Sequence, residues 1–81
     1  MTLDEAIAEI KRRIAEVSPS AVTRVTRVSA EEASIRAYAP AADEPAIKNA
    51  TNEFTLSLMM NEGLDVQVLV YDITTSLPPE E

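Results

Sequence analysis

Apolar residues recur at Leu3, Ala6, Ile7, Ile10, Ile14 and Val17. Steps of three and four lay one stripe along a helix of about four turns. Glu9, Arg12, Arg13 and Glu16 take the solvent side. Thr2, with Glu5 three residues on, has the spacing of a capping box: the threonine oxygen accepts a free first-turn amide and the glutamate reaches back to the cap. Ser18-Pro19 ends the helix, because a proline ring pushes the preceding residue out of helical geometry.

The period then changes. Residues 21–28, Ala-Val-Thr-Arg-Val-Thr-Arg-Val, are rich in β-branched types and read as a strand. Their apolar spacing of three, not two, predicts a bulge or a weakly specified edge. Residues 29–31 turn the chain without glycine. From Glu32 to Ala39 the alternation is clean: Ala33, Ile35, Ala37 and Ala39 face one way, Glu32, Ser34, Arg36 and Tyr38 the other. Pro40 closes that strand. Asp43 is the expected N-cap of a second helix, with Pro45 tolerated in its first turn. Ile47, Ala50, Thr51, Phe54 and Leu58 carry that helix to Glu62, and Gly63 ends it in left-handed geometry. A third strand follows, with Leu64, Val66, Val68 and Val70 inward and Asp65, Gln67, Leu69 and Tyr71 outward.

The fold class expected is α+β, a two-layer α/β sandwich in the order α-β-β-α-β. The first two strands form an antiparallel hairpin. The second helix is a crossover that makes the third strand parallel to the second. Both helices then cover one face of a three-stranded sheet, and the third strand sits beside either the first or the second. Residues 1–73 form the single domain, and 74–81 a mobile, acidic, proline-containing tail. With 81 residues the chain makes one domain at most.

Composition narrows the chemistry. There is no histidine, cysteine or tryptophan, and one glycine. A disulfide framework and a thiolate metal site are excluded. A phosphate-cradling loop needs several glycines, and the only one is already used as a helix cap. A nucleophilic Ser or Thr would depend on Lys11, Lys48 or a carboxylate, and Lys48 is expected in solvent. The acidic pairs Asp4-Glu5, Glu31-Glu32, Asp43-Glu44 and Glu80-Glu81 point apart as neighbours. Glu62 and Asp65 flank Gly63 and are the remaining place for a weak Mg²⁺ or Ca²⁺ ion, without the ligand series such a site needs. The reading is therefore not an enzyme, with no catalytic residue, no metal ligand and no cofactor; a carboxylate-only, metal-dependent enzyme is a remote alternative. No run approaches the ~20 apolar residues of a membrane helix. The acidic start at Met1 lacks the basic and apolar regions of a secretion signal, so a cytoplasmic location is expected.

Net charge is −7 and is placed unevenly. Residues 1–40 hold six acids and six bases, while residues 41–81 hold eight acids and one base, Lys48. A field of that sign repels nucleic acid and anionic membranes. Arg36 and Tyr38 nevertheless share an outer strand face with Tyr71, an arrangement that can stack single-stranded bases. The element order is similar to that of one kind of KH RNA-binding domain, a similarity of topology only, because the Gly-X-X-Gly loop is missing. A single-stranded nucleic-acid binder is thus the second reading.

Two apolar surfaces are left over by the expected core. One is the outer sheet face, with Leu69, Tyr71 and Ile73 beside Tyr38, Arg36 and Gln67; a tail folded back around Leu77 is one cover for it. The other is the back of the second helix, where Leu56 and Met60 lie roughly 200–240° around from Phe54. Met59 is expected to be covered by Leu64 in the helix cap. Exposed apolar patches on small domains mark association sites. The function expected is a protein-interaction module, a homodimer or the binder of another protein. Its candidate interface residues are Arg36, Tyr38, Leu56, Met60, Gln67, Leu69, Tyr71 and Ile73.

Overall fold

The computed structural model describes residues 1–76, so the expected cover by Leu77 and most of the tail lie outside the described residues. Helix α1 spans Leu3–Val17 and starts at the expected capping box. Thr2 Oγ1 accepts from the Glu5 amide at 3.2 Å, and Glu5 Oε1 accepts from the Thr2 amide at 2.8 Å. Strand β1 (Val22–Arg27) and strand β2 (Glu32–Ala39) follow. A short 3-10 turn at Ala41–Asp43 leads into α2 (Glu44–Ser57), a widened turn at Leu58–Glu62, and β3 (Asp65–Asp72).

The sheet order is β1-β2-β3. β1 runs antiparallel to β2, from Val22 opposite Tyr38 to Arg27 opposite Ala33. β3 runs parallel to β2, from Glu32 beside Asp65 to Ala39 beside Asp72. Ala33, Ile35, Ala37 and Ala39 therefore lie at the centre of the sheet, facing the helices. Ile7, Ile10 and Ile14 of α1, Ile47 of α2 and Leu58 bury against them in one cluster. The extents are 35 × 25 × 15 Å, and the last of these has room for two layers, not three. The alanines keep the central strand's inner face low, so branched side chains from both helices fill the space above it.

Several expectations change on contact with tertiary structure. The β1 register is unbroken, so there is no bulge: a spacing of three simply sends Val22 outward and Val25 inward on an edge strand. Val17 ends α1 outside the core and is exposed. Arg13 does not stand in water. Its guanidinium carbon lies 4.4 Å from the Phe54 ring centroid, and its Nε donates to Glu9 Oε2 at 2.6 Å. Glu9 and Arg13 thus line the seam between the two helices instead of the free side of α1.

The second helix also differs at both ends. Asp43 makes no capping bond to α2; its Oδ2 accepts at 2.7 Å from the hydroxyl of the fully buried Ser18. At the other end, regular α-helix stops at Ser57, and the amides of both Gly63 and Leu64 converge on the Leu58 carbonyl. Gly63 sits at φ 67, as a left-handed stop requires. The wide turn buries Leu58 and Leu64 and leaves Met59 uncovered at 55% exposure. After β3, the amides of Thr75 and Ser76 donate to the Asp72 carbonyl, so residues 74–76 form a bonded turn.

Candidate interaction surface

The third strand is an edge. Asp65 donates its amide to Glu31 O at 2.8 Å and Ile73 donates to Ala39 O at 3.0 Å. Odd-numbered residues of β3 thus bond to β2, and by alternation the amides of Val66, Val68 and Val70 point away from the sheet. The side chains of those three face the helices. The strand has no proline, no lysine and no break in register along Asp65–Asp72.

Alongside this edge runs a groove of about 390 Å³. Its floor is β3 from Asp65 to Leu69, and its wall is α2 and the wide turn through Asn52, Thr55, Leu56 and Met59. Leu56 is 57% exposed, and Leu69, on the outer side of the strand, is 41% exposed. The groove therefore joins the two leftover surfaces along a single edge. Of the sequence-derived candidates, Leu56, Gln67 and Leu69 come together here. Met60 is the most exposed at 74% but does not line the groove. Met59 does line it, and its place three residues after Leu56 was the signal for it.

The outer sheet face holds the others. Tyr38 and Tyr71 sit side by side across β2 and β3, with ring centroids 5.3 Å apart and planes 21° apart. Tyr38 is buried and stacks on Tyr71, so the outer face is partly covered where water was expected. Arg24 and Arg36 are directly opposite each other across β1 and β2. Arg36 Nε is buried without a hydrogen-bond partner among the described residues. Ile73 lies just past β3, half-buried in the closing turn.

Several titratable groups are engaged in structure. Glu62 accepts from the Met1 amino group at 2.9 Å, and Lys48 pairs with Glu44 at 2.9 Å. The Thr74 hydroxyl and amide both donate to Asp72 Oδ1 and hold that carboxyl below its ordinary range. Among the described residues, no three acidic, histidine or cysteine side chains gather as a metal site would require. Among the same residues, no helix is long and apolar enough to cross a membrane. Compared with family models, with curated proteins and with solved structures, the chain gives no match.

Proposed function

We propose that this chain is a non-catalytic protein-interaction module that binds through the α2–β3 side of the domain. One observation carries the reading. Of the eight large apolar side chains exposed among the described residues, five (Leu56, Met59, Met60, Leu69 and Tyr71) come from α2, the wide turn and β3, while Met1, Val17 and Val28 lie elsewhere. An apolar surface gathered on one side of a small domain is what an association site requires.

The partner is a second copy of the chain or another protein. The homodimer form uses the outer face around Leu69 and Tyr71. Light scattering behind a sizing column, at several concentrations and two salt levels, should then give twice the single-chain mass. Tyr71→Glu should return it to one chain with the helical signal intact. An unchanged mass in that variant would rule out the sheet-face dimer, and a single-chain mass throughout would rule out any homodimer.

A single-stranded nucleic-acid reading has the Arg24–Arg36 row beside the tyrosine stack in its favour. The net charge of −7 opposes it. It requires salt-sensitive retention of a labelled oligonucleotide, and no retention at low salt ends it.

A further inference from the structure

We infer that the open edge of β3 takes an extended, basic-ended segment of another protein as a fourth strand. The inference rests on the interaction-module reading and specifies the occupant. Natural sheets blunt their edges with short strands, charged side chains, proline or bulges, because a free ladder pairs with any extended chain. β1 is blunted in this way: it has six residues and carries Arg24 within the strand and Arg27 at its end, whereas the charges of β3, Asp65 and Asp72, stand only at its two ends. β3 has eight residues, an unbroken register and three valine amides aimed outward. Main-chain bonds to such an edge supply affinity, and pockets for alternate side chains supply specificity.

The groove provides those pockets. A strand laid along β3 sends every second side chain toward the helices, between Leu56 and Met59. The intervening side chains fall beside Leu69 on the outer face. The occupant therefore has apolar residues at alternate positions opposite the groove. The volume of about 390 Å³ accommodates more than one of them.

Charge decides the rest. Glu32 and Asp65 are neighbours across β2 and β3, and Glu31 adjoins them through its carbonyl bond to the Asp65 amide. None of these three carboxylates has an ion pair among the described residues. The groove thus opens at its β3-start end onto unpaired negative charge, which a Lys or Arg at that end of the occupant neutralises. A second copy joined through the same edge does not bring one, and on the opposite edge, β1, Arg27 is already paired with Asp4. The copy's own β3 starts at Asp65 and ends at Asp72, so antiparallel self-pairing sets acid near acid at both ends. In the antiparallel orientation, slightly the more stable, the basic end of the occupant is its C-terminus.

The test is an NMR titration of the full chain with a synthetic peptide of alternating Val and Thr that ends in two lysines. A second peptide carries glutamates in place of the lysines. The amides of Val66, Val68 and Val70 and the signals of Leu56 and Met59 should shift. The lysine peptide should bind at least about tenfold more tightly, equivalent to about 1.4 kcal/mol. Asp65→Lys, checked for native amide dispersion, should reverse the preference, and Leu56→Asp on the exposed helix surface should weaken both peptides. Equal affinity for the two peptides, shifts confined to Val22, Arg24 and Tyr38, or no shift at all would overturn the inference. No shift from a chain that light scattering finds dimeric would overturn it while leaving the interaction module standing, with a second copy as occupant. No shift from a monomer that also lacks partners would remove both.

Discussion

Gly63 is the residue on which the change from helix to strand turns. Its φ of 67 lies in the left-handed region, and a Cβ built there meets nothing within 4 Å. The cost of a side chain at this position is therefore purely one of backbone conformation. Gly63→Ala should destabilise the fold by about 1 kcal/mol, the usual penalty for a non-glycine residue in left-handed geometry. Denaturant unfolding of the two proteins measures it, and equal midpoints would mean that the turn relaxes instead. Gly63 was legible from the sequence because a lone glycine after an apolar helical stripe has few other uses. Arg13 was not. On a helical wheel it belongs with Glu9 and Arg12, and only the approach of Phe54 from α2 draws it into the seam.

Among the elements, α1 carries its own electrostatic stabilisation. Glu9 accepts from Arg12 Nε and Nη2 and from Arg13 Nε. Arg12 also pairs with Glu16 one turn later. The Arg12 guanidinium first, then that of Arg13, lowers the Glu9 pKa from 4.5 to about 2. A folded pKa below the unfolded one means that the stabilisation is complete above about pH 4.5 and disappears as pH falls toward about 2. Glu9→Gln should therefore lower Tm at neutral pH, and the gap between variant and parent should close by about pH 2. A gap that persists at low pH would assign the role of Glu9 to packing. The start of α1 was readable because its cap is made within four residues of chain. The stop at Gly63 was readable too, but the widening of the last turn was not, because it follows from where Leu58 and Leu64 must both reach the core. Asp43 stands at the expected N-cap position, but its carboxylate bonds to Ser18, 25 residues away in sequence, and not to the helix.

At the scale of the molecule, the charge of −7 makes the two kinds of partner distinguishable by salt. Two identical acidic chains repel, so screening should strengthen a homodimer. A basic segment is attracted, so screening should weaken its complex. Running the light-scattering and peptide measurements at low and high salt therefore gives opposite slopes for the two occupants. The same charge sets the terms for nucleic acid. Arg24 and Arg36 share one face, but they do so on a chain whose overall field opposes a polyanion.

The pattern of apolar positions by itself determined the order of elements, the inward faces of β2 and β3 and the stripe of α1. Each follows from periods of 3.6 and 2 that every segment carries alone. Composition closed the routes through histidine, cysteine and glycine-rich loops. Tertiary structure decided what depends on residues distant in the chain: that β3 lies beside β2 and forms an edge of the sheet among the described residues, that Tyr38 stacks on Tyr71, and that Leu56 and Met59 meet Leu69 along one groove. The physical reason is the same in each case. A period states which side of an element is apolar, whereas the neighbour that covers that side, or leaves it open, is set by how the layers close around the central strand.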